Sequence, residues 1–254
     1  AELRERPDVS RFSEVAAVDV GIVTGANKFF LVPDETVECF ELHRFAFPMF
    51  GRSEHVRGLV YTERDHAENR AAGRAAHFLW ITEEDASALP AGVRRYLDLG
   101  RKQGLPRRFK CRTRRPWYRV PSVSAAPLAM LKRAHDYPRL VRNQSGAFTT
   151  DTAYRIRPRD PDGAALVAGF VNSLTCLSAE LEGRHYGGGV LELVPSEIER
   201  LLVPVLGVSA VSLGEADARF RSSAGGVDFL RWNDERILGR LGLPAPRRGP
   251  HPPA

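Results

Sequence analysis

The chain has 254 residues, 43% hydrophobic and 27% charged, which is enough apolar material for one large folded domain or two small ones. No stretch approaches the ~18 consecutive apolar residues of a membrane span, and the opening Ala1-Glu2-Leu3-Arg4-Glu5-Arg6 lacks the apolar core of a signal peptide. Cys39, Cys111 and Cys176 are too few and too widely spaced for a disulfide framework or a zinc site, so a reducing cytoplasm is the expected location.

Taken in chain order, Val15 to Val32 reads as strand, turn, strand. Val15, Val18, Val20 and Ile22 nearly alternate, Thr24-Gly25-Ala26-Asn27 is turn chemistry, and Lys28-Phe29-Phe30-Leu31-Val32 is the returning strand. Short strands are expected at Val37–Leu42, Val56–Tyr61 and His77–Ile81. A helix opens near Pro90, presents Val93, Tyr96, Leu97 and Gly100 on one face, and closes at Gly104. A short helix is expected over Pro127–Ala134. Arg139-Leu140-Val141-Arg142 and Tyr154-Arg155-Ile156-Arg157 read as strands, the second with strict alternation that puts arginines on one face. From Asp162 a helix carries Leu166, Val167, Phe170, Leu174, Leu177 and Leu181 and ends at Gly183. A strand follows at Val190–Leu193. Ser196-Glu197-Ile198-Glu199 has the pattern of a capping box, and Val227 to Leu241 forms a last amphipathic helix. The Pro-rich tail Pro244–Ala254 is expected to be disordered. The fold class is α+β: a β-rich part built on a twisted sheet or barrel-like scaffold, then a helical C-terminal third.

The net charge is +6, and its distribution matters more than its size. Between Leu99 and His135 there is no Asp or Glu, while the core of that stretch reads Lys110-Cys111-Arg112-Thr113-Arg114-Arg115-Pro116-Trp117-Tyr118-Arg119. Such a run is either a solvated basic loop with Trp117 in the core, or a phosphate-binding surface with aromatic faces for stacking. Gly21-Ile22-Val23-Thr24-Gly25-Ala26-Asn27-Lys28 has the wrong spacing for a Walker loop and reads as a tight turn, and Gly187-Gly188-Gly189 likewise needs no ligand. There is no His-x-x-x-His, Cys-x-x-Cys or Gly-x-Ser-x-Gly, so hydrolytic and zinc chemistry lack their usual residues. No Pro-Asp…Asp/Glu-x-Lys nuclease pattern falls on a strand pair. Asp65-His66 and His135-Asp136 are adjacent pairs, but adjacency in sequence does not create catalytic geometry.

Together these segments resemble a known family. Gly21 through Phe30 is similar to the segment that opens the C-terminal target-recognition region of TaqI-like, gamma-class adenine-N6 DNA methyltransferases of type II and type IIG restriction–modification systems. Arg115-Pro116-Trp117-Tyr118, Arg139-Leu140-Val141-Arg142-Asn143 and Asn172-Ser173-Leu174 through Gly183-Arg184-His185-Tyr186-Gly187-Gly188-Gly189-Val190-Leu191 follow in the same order. The resemblance covers roughly residues 12 to 205.

The family's catalytic domain carries Phe-x-Gly-x-Gly and Asn/Asp-Pro-Pro-Tyr/Phe motifs. Neither occurs here, and the only Pro-Pro is Pro252-Pro253. The resemblance therefore implies a DNA-recognition chain with no catalytic residues and no metal, whose S-adenosylmethionine belongs to a separate N-terminal methyltransferase domain, in cis or in trans. The chain opens without Met, and a piece of a longer protein is the expectation. The expected division is residues 1–11 as linker, 12–160 as the β-rich recognition part, 161–243 as a helical part and 244–254 as tail. Double-stranded DNA is the expected partner, with no membrane. The expected contacts are Lys28, Lys110, Arg112, Arg114, Arg115 and Arg119, then Arg139, Arg142 and Asn143, with Trp117 as a stacking or wedge residue and Asn143 reading an adenine edge. The alternative is a stand-alone specificity or scaffold subunit that docks a separate methyltransferase through Val227–Leu241.

Overall fold

The structure, a computed structural model, describes residues 5–205, 212–223 and 227–243. The tail Pro244–Ala254 lies outside the described residues. The chain divides into two compact units. One comprises Val18–Lys132 and Val141–Arg157; the other comprises Ala1–Ala17, Arg133–Leu140 and Pro158–Ala254. The sequence reading divides the chain after residues 11, 160 and 243; in the structure it passes from one unit to the other after residues 17, 132, 140 and 157.

The first unit is built on a five-stranded sheet, in the order Ala16–Val20, Ala153–Pro158, Leu128–Leu131, Leu140–Asn143 and Val60–Tyr61. No closed barrel forms among the described residues. Tyr154 lies opposite Met130 and Ile156 opposite Leu128 in an antiparallel pair, while Val60–Tyr61 runs parallel to Arg142–Asn143. The alternation in Tyr154–Arg157 works as expected: Tyr154 and Ile156 are buried, Arg155 is half-buried and Arg157 is exposed. Leu128–Leu131 is a strand and not the expected helix. It lies at the centre of the sheet with Leu128, Ala129 and Met130 all buried, and a strand covered on both faces shows no alternation to read.

A second sheet has His77–Leu79 between Leu31–Val32 and Ala46–Pro48. The expected strand Lys28–Val32 is split. Thr24 Oγ1 accepts from the Ala26 amide at 3.0 Å and donates to Asn27 Oδ1 at 2.5 Å, and Asn27–Phe30 then makes one helical turn. That turn sends both Phe29 and Phe30 into the core; on a strand, neighbours point to opposite faces. Val37–Leu42 is likewise not a strand. Asp34–Cys39 is helical, with Asp34 and Glu35 in the first turn, where carboxylates favour a helix. The helix Ala91–Lys102 buries Val93, Tyr96, Leu97 and Gly100 as expected, and Gly104 follows it at φ +71°.

In the second unit the long run from Asp162 is two helices, Ala164–Phe170 and Ser173–Glu182, bent by 77°. Asn172 makes the break. Wholly buried, it donates to Gly169 O at 2.7 Å and accepts from the Thr175 amide at 2.9 Å, which caps the second helix. Asp234 holds the same corner through the Ser173 amide (2.7 Å) and hydroxyl (2.5 Å). No single helix among the described residues is long and apolar enough to cross a membrane.

Val227–Ile237 is a helix as expected, but it is not a free docking face. Phe229 and Ile237 are fully buried, Leu238 just beyond it is buried too, and Asn233 Nδ2 donates to Ala168 O and Val171 O. Val9–Arg11, within the expected linker, pairs with Leu202–Pro204. Glu197 accepts from the Val194 amide at 2.8 Å, so the turn Pro195–Ile198 begins one residue before the expected cap Ser196.

Candidate nucleic-acid interface

The basic run is held in place by the Gly21–Lys28 segment. Gly21 passes so close to the Thr150 backbone that a Cβ there would lie 2.0 Å from Thr150 O, and Gly25, at φ +75°, backs onto Lys110 Cβ. A side chain at either position would separate the layers. Arg114 completes the join, donating from Nη1 to Thr24 O and from Nη2 to Val23 O, both at 2.7 Å. Burial presses its pKa downward, but an arginine stays charged at any physiological pH. Cys111 is buried beneath the helical turn Phe109–Arg112 and anchors it further.

Beside this join lies an open cleft of about 920 Å³. Lys110, Arg114, Arg115, Arg119 and Arg155 line it together with Trp80, Val20 and the backbone of Gly21–Val23, and no Asp or Glu is among the lining residues. Such a concentration of one sign in a concave surface focuses field lines on an anion. Besides Arg114, two more of the five cations are constrained. Arg119 pairs with exposed Glu84, and Arg155 donates to Ser124 Oγ at 2.6 Å and to Ser122 O at 3.2 Å, which holds the loop at that end. Lys110 and Arg115 are exposed, and no ion pair is recorded for either among the described residues.

Of the residues expected from sequence, Lys110, Arg114, Arg115 and Arg119 come together in this cleft. Arg112 is exposed on the same turn as Lys110, and Lys28 is exposed on the turn Asn27–Phe30. Arg114 is mainly a brace, not a free contact. Trp117 belongs to the core. Its ring centroid lies 5.5 Å from that of Phe29, and its Cη2 fills the notch left by Gly100, where a Cβ would stand 2.5 Å away.

Asn143, expected to read an adenine edge, spends its amide within the protein. Its Nδ2 donates to Ala126 O and Ala147 O, and its Oδ1 accepts from the Ala147 amide and Ser145 Oγ, so the amide holds a loop closed. Arg139 lies in the other unit, its guanidinium 4.9 Å from the Phe220 ring centroid and its pKa lowered by burial. Arg142 is half-buried on the strand Leu140–Asn143 and does not line the cleft. Arg155 was missed, although the alternation around it marks the arginine face. Asp65, one of the adjacent acid–His residues, caps the helix Glu63–Ala71 through Thr62.

The fold has a counterpart among solved structures. It is shared with part of the enzyme described as the type IIG restriction endonuclease BpuSI, at 11% identity and a TM-score of 0.53 over 85% of this chain and 26% of that one. The chain belongs to the family described as the C-terminal domain of the type II methyltransferase M.Eco57I, which matches residues 1–238. It is similar to the type II methyltransferase M.XamI of Xanthomonas campestris pv. amaranthicola, with 30% identity over 111 residues, 44% of this chain and 21% of that protein. It is also similar to M.AccI of Acinetobacter calcoaceticus, with 21% identity over 203 residues, 78% of this chain and 37% of that protein. The chain thus spans well under half the length of these relatives.

Proposed function

We propose that this chain is the DNA-recognition module of a gamma-class adenine-N6 methyltransferase of a cytoplasmic restriction–modification system. The observation that carries the reading is the cleft of about 920 Å³ lined by five cations and no carboxylate. Duplex DNA presents one phosphate charge per ~1.7 Å of axis, and cations that neutralise phosphates release condensed counterions. Lys28 and Arg112 are further exposed cations in the same unit, Arg112 on the same helical turn as Lys110.

Methyl transfer is assigned to an S-adenosylmethionine-binding domain outside these residues, fused or separate. With a sulfonium, an ammonium and one carboxylate the cofactor carries a net positive charge, and a cleft whose charged lining is all cationic offers no acid for either positive group. Fluorescence anisotropy with a mixed-sequence duplex tests the reading. Binding should weaken steeply between roughly 50 and 200 mM salt, with a logarithmic slope of about −0.9 per neutralised phosphate. Salt-independent binding, or none to any duplex, would sink it.

A second reading, a scaffold that docks a separate methyltransferase, has one observation in its favour. Leu177 and Leu181, one turn apart on the helix Ser173–Glu182, are 57% and 77% exposed. Co-purification with a methyltransferase that is lost in Leu177→Ser with Leu181→Ser would support it.

A further inference from the structure

We propose that Phe109 is the side chain that stacks on a DNA base, the role the sequence assigned to Trp117. This inference rests on the reading that the cleft unit binds duplex DNA. Phe109 is 64% exposed, the most exposed aromatic among the described residues. Its backbone is nevertheless firmly held. It opens the helical turn whose Cys111 is buried, whose Lys110 backs onto Gly25, and whose continuation is tied down by Arg114. A held backbone thus presents to solvent a ring whose recorded neighbours are two cations.

The surroundings choose the occupant. Lys110 Nζ lies 5.6 Å and Arg112 Cζ 5.3 Å from the ring centroid, and Arg107, Arg108 and Arg115 are exposed nearby in the chain. A protein surface covering the ring would have to bury these cations or bring acids to meet them. A duplex brings both parts at once, with phosphates for the cations and a base face for the ring. Apolar side chains inserted at a base step take the place of part of the base stacking they disrupt, and the kink they make lets the duplex cover more protein surface. Trp117 is excluded from this role by its place against Phe29 and Gly100.

The test uses anisotropy with a mixed-sequence duplex at several salt concentrations. Phe109→Ala should weaken binding about tenfold with an unchanged salt slope, and its thermal unfolding should match that of the parent because the ring is exposed. Phe109→Trp should restore affinity, and DNA should quench its emission beyond any quenching of the resident Trp80, Trp117 and Trp232. Suppose Phe109→Ala binds as tightly as the parent and Phe109→Trp shows no added quenching, while Lys110→Ala with Arg112→Ala lowers both affinity and slope. Stacking is then overturned and the DNA reading stands. A loss in Phe109→Ala accompanied by a shallower slope assigns the effect to displaced cations and also overturns stacking. If the parent binds no duplex, both fall together.

Discussion

The basic run Arg107–Arg115 and the second unit use arginine in opposite ways, although elsewhere in the cleft unit arginines are paired as well, Arg70 with Asp34 and Arg101 with Asp98 among them. In the second unit Arg133 meets Glu192 at 2.7 Å, Arg184 meets Glu197 at 2.9 Å, Arg200 meets Glu182 at 2.6 Å and Arg221 meets Asp217 at 2.8 Å. In the cleft unit Arg107, Arg108, Lys110, Arg112 and Arg115 are exposed, with no such pair recorded among the described residues. A paired arginine orders its surroundings but cancels its field at a distance, whereas an unpaired one projects it. The net charge of +6 therefore understates the potential over Arg107–Arg115 and overstates it over the second unit. Counting basic residues misses this distinction, and locating their carboxylates recovers it.

The sharpest way to break the contrast is to remove the unpaired set. Lys110→Ala, Arg112→Ala and Arg115→Ala together should lower duplex affinity about a hundredfold at low salt and flatten the slope by about 2 to 3. Neutralising Arg133, Arg184 and Arg200 as a control should leave the slope unchanged, and equal losses from the two triplets would erase the distinction.

Arg114→Ala tests brace against contact. Losing two charge-assisted hydrogen bonds to backbone carbonyls should cost ~2 kcal/mol of stability in urea unfolding. Arg114→Lys should recover only part of it, because an ammonium cannot span both carbonyls. Full stability with reduced binding would make Arg114 a contact after all.

Acid should weaken the cleft unit by a separate route. Burial lowers the pKa of His55 to about 4, and burial does the same for His66. In the unfolded chain both take up protons near 6.5, so their stabilising contribution is complete above that pH and is lost as the pH falls towards 4. For His55, which is 4% exposed, roughly 1–2 kcal/mol should be gone by pH 5. His55→Gln should flatten that part of the stability profile, and an unaltered profile would show the imidazole to be better solvated than its burial implies. The smallest change is Glu84→Ala. It releases Arg119 from an exposed pair, which should leave stability almost unaltered and raise duplex affinity about twofold; a fall in affinity would instead make the pair a positioning device.

Elements with one clear period were legible. Tyr154–Arg157 and Ala91–Lys102 formed as their alternation and helical spacing required, and the acid-free run led to four of the cleft cations. What failed was set by distant neighbours. Leu128-Ala129-Met130-Leu131 has helix-forming side chains but completes the centre of a sheet, where burial outweighs propensity. In sequence Asn143 and Arg114 look like DNA contacts, and only the carbonyls of Ala126, Ala147, Val23 and Thr24 reveal them as braces. Trp117 and Phe109 differ in a way no local pattern carries, since one has Gly100 to nest against and the other has open water.

The pairing of Val9 with Pro204 has a consequence for biosynthesis. At typical elongation rates the early strand leaves the ribosome on the order of ten to forty seconds before its mate. Throughout that interval its edge is open to wrong pairing, and chaperone demand should peak there. A nonsense codon anywhere between the two strands would leave the first one unmatched for good, so prematurely terminated products should reach the proteases and not accumulate as soluble fragments.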